Sequence, residues 1–117
     1  TGTEPGDRMK ALIDAIPEGS VGVTLDPGGL AINGFSASEA VNCLAEHVKY
    51  VHARDGVQDL AKGRGIEVEL GRGTADFPTL LGNLEEAGYR GYFTVDRDHS
   101  RNPIADIAAA VGYLQQV

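Results

Sequence analysis

Residues 20–29 read SVGVTLDPGG, a short β-branched run that ends on an aspartate and meets a Pro-Gly-Gly break. In an extended strand Val21, Val23 and Leu25 share one face, and Gly22, Thr24 and Asp26 share the other. The form recurs twice further on. VKYVHARD at 48–55 sets Val51 and Ala53 against Tyr50, His52 and Arg54, and GYFTVD at 91–96 sets Phe93 and Val95 against Tyr92, Thr94 and Asp96. Each strand thus has one apolar face suited to packing under helices.

Helical spacing fills the intervals. Asp7 to Ile16 repeats apolar residues at Met9, Leu12, Ile13 and Ile16 and closes at Pro17. Ser36 to Val48 opens with Ser36 and Glu39 at capping-box spacing and lines up Val41, Leu44, Ala45 and Val48. Asp76 to Ala87 has Asp76 as N-cap, Pro78 in the first turn and Gly88 as its stop. Pro103 to Gln116 is an alanine-rich last helix, and Gly63 to Gly73 reads as a loop with an extended piece at Ile66 to Leu70. Strands separated by helices of about three turns predict parallel βα units, an α/β chain of order αβαβαβα.

The chain of 117 residues and 12.3 kDa fits a single domain, 1–117. Its 42% hydrophobic and 23% charged residues are ordinary for a folded globular protein and too apolar for a disordered one. No apolar run approaches the roughly 20 residues of a membrane span, and no signal-peptide pattern opens the chain. A single cysteine, Cys43, excludes an internal disulfide and a Cys-rich zinc site, and the expected compartment is the reducing cytoplasm. Seventeen acidic against ten basic residues give a formal charge of -7, and the basic residues are scattered, which opposes a nucleic-acid partner.

The other face of each strand carries a polar residue near its C-terminal end: Asp26, His52 and Asp96. In parallel α/β proteins that end is where ligands bind. Two carboxylates and an imidazole on three such ends are a donor set for Mn, Co, Zn or Mg, and a metal there would polarise a sugar carbonyl. The same residues also have plain structural readings. Asp26 starts a turn, His52 caps a strand, and Asp96 pairs with Arg97 or Arg101.

VGVTLDPGGL, then VKYVHARD, then LGRGTADFPTLLGNLEEAGYRGYFTVD resembles the xylose isomerase-like TIM-barrel superfamily of sugar (phosphate) isomerases and epimerases, which also includes endonuclease IV. The shared pattern is an Asp-Pro-Gly strand end, a His-x-Lys-Asp-like strand, a Leu-Gly-x-Gly-x-x-Asp-Phe loop and a Gly-Tyr-x-Gly strand ending in an acid. It runs over roughly residues 7 to 117. The resemblance implies a partial (β/α)8 barrel with three strands and four helices, its C-terminal portion, because a complete barrel takes roughly 250 residues.

By the same resemblance Asp26 and His52 are metal ligands and Asp96 is both ligand and catalytic acid–base residue. Arg54 and Asp55 border the substrate pocket. The implied activity is a metal-dependent isomerisation or epimerisation of a sugar or sugar phosphate through a cis-enediol. Three departures stand against it. Gly29 occupies the position where the family commonly has a histidine, Asp96 shortens a glutamate, and a further catalytic glutamate belongs to a strand that precedes this chain's first helix. His99 is a spare imidazole near Asp96, or a solvated loop residue. The alternative is a truncated, non-catalytic barrel module that binds a small ligand or oligomerises. Open strand edges predict a homo-oligomer or association with the missing part of the barrel.

Overall fold

The computed structural model describes residues 1–16, 21–59, 64–98 and 100–117. Pro17, Ser20, Gly63 and His99, named above, lie outside the described residues. Three parallel strands form the central sheet in the order β1 (Val23–Leu25), β2 (Val48–Ala53), β5 (Phe93–Val95). The register pairs Leu25 with Val51 on one side of β2 and His52 with Thr94 on the other. The sheet is the expected segment of a parallel barrel, with β1 and β5 each hydrogen-bonded on one side only among the described residues.

The helices follow their local signals. α1 (Gly6–Asp14) packs against α3 (Ala37–Leu44), which starts where the Ser36 hydroxyl accepts the Glu39 N–H at 3.2 Å. α3 ends in a 3-10 turn, Ala45–His47, that feeds directly into β2. α4 (Phe77–Glu86) packs against α3, and α5 (Pro103–Gln116) lies against β5. Val23, Leu25 and Val51 from the sheet meet Leu30, Val41, Leu44, Phe77, Leu80 and Leu84 from the helices in one core. Each such side chain, once buried, stabilises the fold by roughly 1.5–3 kcal/mol.

Two elements correct the sequence reading. The Pro-Gly-Gly break is not a turn but a short helix, α2 (Pro27–Ile32). Asp26 caps it by accepting the Gly29 N–H at 3.0 Å, and Pro27 supplies a preset first-turn φ. The glycines let α2 lie against the chain just past β2, since a Cβ on Gly28 would stand 2.8 Å from the Arg54 carbonyl carbon. The second correction is an antiparallel hairpin, β3 (Asp55–Asp59) with β4 (Arg64–Val68): β4 overlaps the extended piece read at Ile66 to Leu70, while β3 was not expected. VKYVHARD is therefore two strands rather than one. The chain breaks at Arg54, whose N–H donates to the His52 carbonyl at 3.0 Å. Gly56 and Gln58 give β3 no β-branched pattern to announce it. With α2, the α-helices among the described residues number five rather than the expected four, and the parallel core is unchanged.

Candidate active site at the strand ends

β2 and β5 carry their polar residues on the face turned away from the packed helices. Tyr50 and His52 stand two residues apart on β2, ring centroids 5.4 Å apart in an edge-on arrangement. Across the register, the Tyr50 hydroxyl meets the Thr94 hydroxyl at 2.5 Å, and His52 Nδ1 faces Asp96 Oδ2 at 3.4 Å. That separation is longer than a strong N–H···O bond, so the pair is loosely held. Both side chains are about a third exposed, at 36% and 37%. The structure thus brings together His52 and Asp96, two of the three residues expected at the strand ends.

Asp26 goes elsewhere. Arg54 NH1 donates to its Oδ2 at 2.7 Å, while its Oδ1 accepts from Gly29. The same guanidinium donates from Nε to Glu67 at 3.0 Å and lies 3.2 Å from Asp98 through NH2. Burial opposes the charge on Arg54, but Asp26, Glu67 and Asp98 outweigh that effect and raise its pKa further. Glu67, its side chain 1% exposed, also accepts from Arg97 NH1 at 2.9 Å and from the Asp98 N–H at 3.0 Å. Arg97 continues to Asp106 at 3.1 Å, and Asp106 accepts a short hydrogen bond from the Ser100 hydroxyl. The Ser100 bond and Arg97 hold the Asp106 carboxyl below its ordinary range. Arg97 is thus bound to Glu67 and Asp106.

Asp55, next along the chain, is 1% exposed and enclosed by backbone. Its carboxylate accepts the N–H groups of Gly56 at 2.9 Å, Gly71 at 3.1 Å, Gly73 at 3.0 Å and Ala75 at 3.1 Å. The Gly-Arg-Gly segment wraps this side chain, and a Cβ on Gly73 would collide with the carboxylate. Of the two residues expected to border the pocket, Arg54 is held among acids and Asp55 anchors a loop. Between β2, β5 and α5 the space lined by Arg54, Asp55, Asp96 and Arg97 amounts to about 10 Å³, the room of a single water.

Glu67, Asp98 and Asp106 were not singled out from sequence. Glu67 sits on the hairpin that the pattern concealed, and its partners lie 13 to 31 residues away.

The family implies a divalent metal on Asp26, His52 and Asp96, and the donor arrangement does not fit one. Both Asp26 oxygens are engaged, and His52 and Asp96 face each other. Among the described residues, no three His, Cys, Asp or Glu side chains are grouped so as to hold a metal ion. Among the described residues, too, no helix is long and apolar enough to cross a membrane.

Known proteins agree with this architecture. The family described as xylose isomerase-like TIM barrel matches residues 1–117. A rhizopine catabolism protein, MocC, of Rhizobium meliloti is 29% identical over 122 residues, covering 80% of this chain and 37% of its own length. The crystal structure of a xylose isomerase domain protein from Planctomyces limnophilus superposes with a TM-score of 0.88 at 29% identity, over 99% of this chain and 44% of that one. The chain therefore spans less than half the length of either relative. With its parallel strands, its helices and its whole length matched, this chain belongs to the xylose isomerase-like TIM-barrel family.

Proposed function

We propose that this chain carries part of the substrate site of a sugar isomerase or epimerase, with His52 and Asp96 as its proton-transfer pair. The observation that supports this reading is their placement. They end adjacent parallel strands on the polar face of the sheet, beside the Tyr50 and Thr94 hydroxyls. Ligands of parallel α/β folds bind at that end.

With Nδ1 directed to Asp96, the imidazole exchanges protons with a sugar through Nε2. It takes the proton from the carbon beside the carbonyl, the C–H pair becomes the C=C bond, and the carbonyl oxygen takes a proton from solvent to give a cis-enediol. Return of the proton from Nε2 to the former carbonyl carbon, with the neighbouring hydroxyl proton lost to solvent, gives the isomer. Protonation of the original carbon by water on its opposite face, with Nε2 and that hydroxyl giving up their protons to solvent, gives the epimer. Asp96 stabilises the imidazolium formed in between and fixes the ring. In this reading the Tyr50 and Thr94 hydroxyls, bonded to each other in the free chain, turn to sugar oxygens. A sugar or sugar phosphate is the substrate class in this reading. The sides of β1 and β5 left unpaired among the described residues are taken, in this reading, by further strands, from a second copy or from the remainder of a barrel.

Solvent-deuterium incorporation into a panel of aldoses and ketoses, free and phosphorylated, tests the assignment by NMR. Label is expected beside the carbonyl of at least one sugar, and His52→Gln is expected to abolish it. Undiminished labelling by His52→Gln would remove His52 from the chemistry.

A second reading is favoured by one observation, the commitment of Asp26 to Arg54. It makes the chain a non-catalytic barrel module that binds a small ligand or oligomerises, and it predicts no label in any sugar.

A further inference from the structure

We infer that Asp26 is held by an internal cation, the Arg54 guanidinium, where the family resemblance places a divalent metal. The three guanidinium nitrogens each meet a different carboxylate: NH1 with Asp26 at 2.7 Å, Nε with Glu67 at 3.0 Å and NH2 with Asp98 at 3.2 Å. A planar, permanently charged fork suits that arrangement, and an ammonium does not. The side chain is 15% exposed, so the charge is largely withdrawn from water and depends on these acids.

The second oxygen of Asp26 is occupied by the backbone of residue 29. Where the family commonly has a histidine, Gly29 supplies a backbone N–H to Oδ1, and a Cβ there would lie 2.9 Å from Oδ2. Asp96, the third expected ligand, is turned to His52. A divalent ion reaching Asp26 must first expel Arg54, leaving a largely buried guanidinium with one partner fewer. The hairpin explains why Arg54 stays. β4 carries Glu67, and Glu67 is itself fixed by Arg97 and the Asp98 N–H. This inference does not rest on the isomerase reading, because it concerns occupancy of Asp26 rather than turnover.

Titration of the chain with Mn²⁺, followed by electron paramagnetic resonance and by thermal melting with and without EDTA, reads the site directly. The wild-type chain is expected to leave the free Mn²⁺ signal undiminished and to melt at the same temperature in either condition. Arg54→Ala leaves Asp26 and Asp98 without their shared cation. It is expected to melt lower, to recover on addition of Mn²⁺, and to bind that ion at least about tenfold more tightly than wild type, the factor carried by one charge-assisted contact. One Mn²⁺ per wild-type chain, lost in Asp26→Asn, would overturn the inference. So would a folded Arg54→Ala that takes up no more Mn²⁺ than wild type. If Arg54→Ala does not fold, Arg54→Gln, neutral and closer in size, is judged by the same outcomes. The wild-type titration decides by itself whether Asp26 takes a metal.

Discussion

Two neighbouring pairs at the carboxyl end of the sheet differ sharply in what surrounds them. His52 and Asp96 face each other loosely across the sheet, each about a third exposed. Arg54 and Asp55, two and three residues beyond His52, are saturated, the first by three carboxylates and the second by four backbone N–H groups. Polar residues at the carboxyl end of a parallel strand are therefore not equally available for chemistry. Those on the open face of the sheet stay partly exposed, while those at the hairpin and loop junction hold the backbone in place.

This contrast is sharpest for Asp55. Asp55→Ala strands several N–H groups in a buried site and should destabilise the chain by about 3–5 kcal/mol in urea melts, with Asp55→Asn costing less because one acceptor oxygen remains. A loss under about 1 kcal/mol would show that the loop at 70–76 does not depend on this carboxylate. Glu67→Gln comes next, at about 2–3 kcal/mol, since it weakens the contacts to both arginines while keeping the shape. Arg97→Gln should couple to it in a double-mutant cycle, and strict additivity would break the network.

A smaller effect is expected from pH. Asp106 sits below the ordinary carboxylate range in the folded chain because Ser100 and Arg97 stabilise its charged form. Its stabilising contribution is complete above the unfolded-chain carboxylate pKa and is lost as pH falls through the lower, folded value. Asp106→Asn should therefore flatten the acid limb of the stability profile and leave its shape near neutrality unchanged. The smallest stability change belongs to the open pair. His52→Ala should shift the melt by less than about 1 kcal/mol, because an exposed pair contributes little, while under the proposed function it should abolish deuterium labelling of a sugar. A large stability loss there would place His52 with the structural group and erase the contrast.

Much of the scaffold was legible in the sequence. The last helix occupies Pro103–Gln116 as read, because Asn102 and Pro103 start it by local rules, the Asn102 side chain accepting the Ala105 N–H at 3.3 Å. The three parallel strands carry alternation that needs no partner to be seen. The α2 helix was missed because two glycines read as a break, yet Asp26 and Pro27 overrode them, and the tight approach to Arg54 required Gly28. The first strand of the hairpin was missed because only Arg54 separates it from β2, whereas the second overlaps the extended piece read at Ile66 to Leu70.

For the site, the sequence by itself determined which residues end the strands and which face of the sheet they occupy, since both follow from a period of two along an extended chain. It also carried the family motifs, whose order survives in the fold. Only the tertiary structure decided which charge meets which. Arg54 reaches Asp26 across 28 residues and Glu67 across 13, and Arg97 reaches Glu67 across 30. Ion pairs between side chains so far apart leave no periodic trace, because they depend on the meeting of a strand end, a hairpin and a loop that local sequence cannot bring together.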